Sequence, residues 1–223
     1  MLAIKECAGG RLGVLISGSV DQRHVGFHII DGGDPELIHL GWHYDLRNQS
    51  SAEYIKDNGR FKAYECSNFL DEQVEEIISF LKVIWNRNKS LVPYGIGSEG
   101  LANFFDVDGK VASHSPGNGL TCATFLMSVF AAQRYPIIDE QSWQSREGDK
   151  DWQELVLGYL SRRAELADHV AEQRKVVGQA YRYRPEEVAS SAAIYDEDPI
   201  VFEEAVQNGE QLLAMLKADG TLR

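Results

Sequence analysis

The chain has 223 residues, 43% of them hydrophobic and 10% aromatic, enough for a sizeable core in one domain or in one domain with an appendage. A formal charge of −12 argues against a nucleic-acid binder, whose phosphate contacts need a basic surface, and against adhesion to anionic membranes. Three cysteines, Cys7, Cys66 and Cys122, form an odd set without close pairing, which fits reduced cytosolic thiols better than a disulfide framework.

The opening stretch, MLAIKECAGGRLGVLIS, carries Lys5, Glu6 and Arg11 and lacks a long apolar run. No signal peptide or membrane span is therefore expected, and a cytoplasmic location follows; export by a route that needs no cleaved signal stays open. Residues 11–17 (RLGVLIS) read as a short apolar strand after a Gly-Gly turn. In residues 23–31 Val25, Phe27 and Ile29 share one face, while His24, Gly26 and His28 share the other. The turn GGDP follows, and residues 36–43 alternate again, with Ile38, Leu40 and Trp42 against His39, Gly41 and His43. Two alternating runs around such a turn predict an antiparallel hairpin. Cross-strand register from a turn at Gly32 and Gly33 places His24 toward His43 and diagonal to His39, within reach of an imidazole. Residues 60–66 are a further predicted strand.

Helical spacing of Val74, Ile77, Ile78, Leu81, Ile84 and Trp85 predicts a helix over 71–88, with Asp71, Glu72, Glu75 and Glu76 at its positive end. A long irregular segment follows, of a length that in compact domains is usually functional. The next predicted helix starts at Cys122 and stops before Pro136. Helical signal returns over 151–177 and, between Pro199 and Gly220, over 199–218. The polar stretch QSREGDKD at 144–151 is the expected boundary, dividing the chain into a mixed core, 1–143, and a helical extension, 144–223, packed on it.

Cys122 is the cysteine with a nucleophile's framing. A glycine-rich approach, PGNGL, leads to Thr121 as helix cap, and the helix N-terminus favours a thiolate by ~1 kcal/mol. A thiol nucleophile needs a proton acceptor and a group that orients it. Four of the six histidines, His24, His28, His39 and His43, lie in the hairpin and supply both. The same four could instead hold zinc or form a solvated face; no cysteine or carboxylate joins them at ligand-like spacing, so no metal or cofactor is expected. His169 lies in a charged helical stretch and is expected to face solvent. Cys7 and Cys66 lack helix-start framing and read as structural.

The stretch HVGFHIIDGGDPELIHLGW resembles the histidine strands of papain-like cysteine peptidases of the NlpC type, and GNGLTCATFLMSVFAA resembles their cysteine motif. VPYGIGSEGL is similar to their tyrosine-glycine segment. The resemblance spans about residues 11–140, and its order, histidines before cysteine, is that of circularly permuted members. It implies an α+β papain-like fold with an antiparallel sheet packed on the cysteine-bearing helix. It also implies Cys122 as nucleophile, His24 as base, His39 as orienter and Tyr94 as a site-lining residue. Backbone N–H groups at Thr121 and Cys122, with Tyr94, would hold the oxyanion, while His43, Asp45 and His114 compete for the supporting roles. The expected activity is hydrolysis of an amide or isopeptide bond of a peptide substrate. Alternatives are an acyltransferase or thioesterase with the same trio acting on an acyl substrate, a zinc enzyme, and a silent binding module. In the last, the C-terminal helices would meet a protein partner or a second copy.

Overall fold

A computed structural model describes residue 2 and residues 4–222 of the chain. Its sheet is antiparallel, in the order β4-β3-β2-β1-β5. The strands are β1 Leu12–Gly18, β2 Arg23–Ile29, β3 Glu36–Trp42, β4 Asp45–Ser50 and β5 Phe61–Glu65. The helices are α1 Ser51–Asn58, α2 Asp71–Asn88, α3 Cys122–Ala132, α4 Asp149–Leu160, α5 Ala167–Arg174, α6 Pro185–Ile194 and α7 Phe202–Ala218. The architecture is α+β, and among the described residues no helix is long and apolar enough to cross a membrane.

Alternation decides which face of the sheet is buried by what. Val14, Ile16, Val25, Phe27, Ile29, Ile38 and Leu40 belong to one continuous core shared with residues of α2, α3, α6 and α7. Leu15 and Leu37 point the other way and are covered by Tyr54 of α1. Helix α3 is buried along most of its length, through Phe125, Leu126, Met127, Val129 and Phe130, and occupies the middle of the core. The core runs without a break from Leu12 to Leu222, so the C-terminal helices contribute to the same hydrophobic interior as the sheet.

Some elements differ from expectation. The β2–β3 pairs are Phe27–Ile38, His28–Leu37 and Ile29–Glu36, one residue off the register expected from the turn. The helix expected over 151–177 is two, α4 and α5, separated by a turn and a short 3-10 segment at Ala164–Leu166. β4 and α1 form where no element was expected: Ser50 and Glu53 make a reciprocal capping box that starts α1 directly at the strand's end. Helix α6 was also not foreseen, because Glu186 and Glu187 break any apolar stripe. Both carboxylates are buried, Glu186 against Arg23 (2.7 Å) and Glu187 against Arg146.

Candidate active site

A cavity of about 540 Å³ opens at the end of the sheet where β1 stops and β2 begins. Cys122, Thr121, His24 and Tyr94 all line it, with Trp42 from β3, an apolar wall of Trp152, Leu155, Val156 and Tyr159 from α4, and Arg182. Cys122 is 6% exposed, and that exposure faces this cavity.

The histidines form a directed chain. Gln49 Nε2 donates to Asp57 Oδ2 (2.8 Å), so its Oε1 is the atom that meets His39 Nε2 (2.9 Å). An amide oxygen only accepts, so His39 carries its proton on Nε2 and leaves Nδ1 as an acceptor. That Nδ1 lies 2.9 Å from His24 Nε2, which must donate. His24 is thereby held with Nδ1 unprotonated, and among the described residues this nitrogen makes no hydrogen bond. The two rings meet edge to face with centroids 4.9 Å apart, and His39 stacks likewise on Tyr54 at 5.0 Å. Gly26 makes room for this: a Cβ there would lie 2.6 Å from His39 Cβ. His43 and Asp45 take other partners. His43 accepts from the Tyr94 main-chain N–H at Nδ1 (3.2 Å), and Asp45 pairs with Arg47 (2.6 Å). His114 is exposed and does not line the cavity.

Thr121 caps α3, with its Oγ1 accepting from Thr124 N (3.1 Å) while Thr124 Oγ1 accepts from Thr121 N (2.8 Å). Tyr94 reaches the same helix start despite the long gap in sequence. Tyr94 forms a parallel bridge with Leu120, bonded through Gly95 N to Leu120 O (3.1 Å) and Leu120 N to Pro93 O (2.9 Å). Gly119 allows that closeness, since a Cβ there would lie 2.8 Å from Gly95 N. The residues between fold back as a separate excursion, pinned where Asn88 bonds Gly109 O (2.6 Å) and Val111 N (3.1 Å). The Tyr94 ring packs on Trp42 at 4.4 Å. Its hydroxyl is pushed well above the usual phenol range by burial and then by the nearby Cys122 sulfur, while the Cys122 main-chain N–H works in the opposite direction.

The thiolate expected from the helix N-terminus is not the resting state. Burial pushes the Cys122 thiol up to about 11, although main-chain groups of Val25, Ala123 and Cys122 itself pull it down. His24 is driven down to about 3 by burial, then by His39 and Arg47. Burial outweighs the main-chain donors at Cys122 and is the largest influence at His24, so at rest Cys122 is a thiol and His24 a neutral imidazole. Cys66 is buried, with its thiol held high by burial. Cys7 donates to Gly10 O (3.3 Å).

Four contributors escaped the sequence reading. Gln49 and Asp57 extend the histidine chain; the signal for Gln49 was its place in β4, diagonal to His39 through the pairs His39–Arg47 and Leu37–Gln49. His169 and Gln173, one turn apart on α5, clamp the Tyr94 segment. His169 Nδ1 accepts from Gly117 N (3.2 Å) and its Nε2 donates to Tyr94 O (2.9 Å), while Gln173 Oε1 accepts from Ile96 N (2.6 Å). His169 is therefore half-buried and bonded, not turned to solvent as its charged surroundings suggested. Among the described residues no group of three or more His, Cys, Asp or Glu side chains is placed to hold a metal ion. Comparison with protein-family models, with curated proteins and with solved structures finds no match to this chain.

Proposed function

We propose that the chain is a cysteine hydrolase of papain-like, permuted NlpC-type arrangement that cleaves an amide or isopeptide bond. The single observation that supports this most is a shared cavity. One opening takes in the Cys122 thiol and a His24 ring whose Nδ1 is left free by the Asp57–Gln49–His39 chain.

His24 Nδ1 takes the Cys122 proton as Sγ attacks the acyl carbon, forming the S–C bond and an oxyanion. The oxyanion is met by the N–H groups at the start of α3 and by the Tyr94 hydroxyl. Collapse breaks the C–N bond, and the departing amine takes the proton from His24. Water, deprotonated by His24, then attacks the thioester, releasing a carboxylic acid and restoring the thiol. As His24 becomes imidazolium, its Nε2–H bond to His39 strengthens, and the chain to Asp57 stabilises the charge.

A second reading keeps the trio and changes the bond. The apolar wall of Trp152, Leu155, Val156 and Tyr159 favours an acyl group, hence a thioesterase or acyltransferase. The test is a fluorogenic panel of peptide amides, isopeptides, aryl esters and thioesters, with Cys122→Ala as control and intact-mass detection of an acyl adduct. Amide or isopeptide turnover abolished by Cys122→Ala, with an adduct on Cys122, is expected. Turnover that survives Cys122→Ala, or no turnover of any substrate, overturns the proposal; ester or thioester turnover alone selects the second reading.

A further inference from the structure

The charged side chains lining the cavity are unequal in how they are spent. Arg23 is tied to buried Glu186 at 2.7 Å, and Asp21 sits exposed on the turn between β1 and β2. Arg182 differs from both. Its main-chain oxygen is pinned by Trp143 Nε1 (3.1 Å) and Arg146 Nη2 (3.0 Å), so its backbone is fixed. Its guanidinium lies over the Trp152 ring, 4.4 Å from the centroid, and is 15% exposed. Among the described residues it donates no hydrogen bond, and its nearest carboxylate oxygen is Asp149 Oδ1 at 3.9 Å, beyond hydrogen-bond range. A guanidinium held by its face against an indole keeps its in-plane N–H groups for something else.

The local charge balance says what that is. Arg23, Arg146, Arg182 and Arg184 face Asp149, Glu186 and Glu187. Arg146 takes Glu187 and Arg23 takes Glu186, while Asp149 is approached by Arg146 (3.8 Å), Arg184 (3.6 Å) and Arg182 (3.9 Å). One positive charge is left over, in a chain whose formal charge is −12. Burial and the neighbouring Arg184 bring Arg182 down to about 10, so it remains a cation at neutral pH while short of a counter-charge. Arg182 also acts electrostatically on the Tyr94 hydroxyl, which stands beside the Cys122 N–H, so the free cation and the thiol share one neighbourhood.

We infer that Arg182 is the binding site for a single carboxylate on the substrate, carried near the bond that Cys122 is proposed to cleave. This rests on the proposed function for the identity of that bond, but not for the site itself. One surplus charge matches a monoanion, and a planar carboxylate matches the geometry of the free N–H edge. A dianionic phosphate would meet the three carboxylates with Arg182 alone, because Arg184, whose guanidinium also makes no hydrogen bond among the described residues and stands 3.6 Å from Asp149, does not line the cavity. The apolar wall of α4 would hold the substrate's hydrophobic part.

The test uses Cys122→Ala, in which binding is separated from turnover, and reads tryptophan fluorescence, since Trp152 lies under the guanidinium, with calorimetry alongside. The probes are N-benzoylglycine, its neutral amide N-benzoylglycinamide, and N-benzoyl-aminomethylphosphonate. The carboxylate should bind at least ~10-fold more tightly than the amide, the size expected of a charge-assisted contact. Arg182→Gln should remove that preference and Arg182→Lys should retain part of it. Equal binding of acid and amide overturns the inference, as does a phosphonate that outcompetes the carboxylate. Because the acid-amide comparison needs no change at Arg182, it stands even where the Arg182 variants fold poorly. Carboxylate preference without Cys122-dependent turnover would remove the proposed hydrolase and keep the anion site; turnover without preference would do the reverse.

Discussion

Gly26→Ala puts a methyl group where His39 already stands. The added carbon would lie 2.6 Å from His39 Cβ and 3.1 Å from Ile38 O. Comfortable carbon–carbon contact begins near 3.5 Å, so about 1 Å of movement is needed. The obstacle includes backbone, and β3 is held by β2 on one side and β4 on the other, so the strand gives way only at a cost. Overpacking of this kind destabilises by ~1–3 kcal/mol. The same shift stretches the 2.9 Å contact between His24 Nε2 and His39 Nδ1 past hydrogen-bond range. Gly33→Ala is the control: nothing lies within 4 Å of its added carbon, and its φ is outside the left-handed region. That substitution should be neutral or stabilise by ~0.4–1 kcal/mol through the unfolded chain. Urea denaturation of both variants measures the difference, with unchanged m-values expected. A Gly26→Ala protein as stable as Gly33→Ala would refute the claim that His39 is fixed by the absence of a side chain on β2.

Three more outcomes follow from named contacts. His43, 3% exposed and accepting from Tyr94 N, is driven down to about 4 by burial and then by His169. Its folded value lies below the ordinary 6.5, so the unfolded chain binds the extra proton first, and ~3 kcal/mol of stability present above pH 6.5 is lost as pH falls toward 4. Urea melts at several pH values should show a shallower loss in His43→Gln; parallel curves would contradict the assignment. Arg146→Met strands Glu187 and should cost ~3–5 kcal/mol in denaturant melts, with part regained in the Arg146→Met, Glu187→Gln double variant. Tyr94→Phe should slow turnover ~100-fold in kcat while leaving thermal stability nearly unchanged; an unaltered kcat would remove the hydroxyl from oxyanion binding.

What the sequence disclosed was periodic. The alternation in β2 and β3 gave the hairpin and the two faces, and the spacing of Val74 through Ile84 gave α2 with its observed ends, Asp71 and Asn88. Thr121 before an apolar run announced the start of α3. β4 was hidden because DLRNQS contains one apolar residue, Leu46, and its pairing is set by β3, not by its own pattern. α6 was hidden because charge read as exposure: Glu186 and Glu187 are buried by arginines 163 and 41 positions away, distances no local window spans. Gln49, Gln173 and Arg182 escaped for the same reason. Each acts through partners brought near by the fold, and polar residues carry no periodic signature of such contacts.

In the proposed reaction, the neutral resting state of Cys122 and His24 changes which parts of the site would do the catalytic work. A helix end favours a thiolate by ~1 kcal/mol, whereas a thiol raised from 9.0 to about 11 is disfavoured as an anion by ~3 kcal/mol, so burial sets the outcome. His24, lowered to about 3, resists becoming a cation even more strongly. Under the proposed mechanism, charge separation would then arise during attack, when the proton moves from sulfur to Nδ1 and the negative charge appears on the acyl oxygen. Groups that respond to that moment matter more than groups that stabilise a standing thiolate. The chain from His24 through His39 and Gln49 ends on Asp57, whose side chain is 44% exposed, so in the proposed reaction the positive charge on His24 would be stabilised through aligned dipoles that end on a solvated carboxylate, without burying a permanent one. On the other side, the Tyr94 hydroxyl and the first N–H groups of α3 would face the new negative charge. A buried pair that is neutral at rest is thus compatible with acyl chemistry, provided the two polar arms are already aligned, and Gly26 and Gly119 are what permit their alignment.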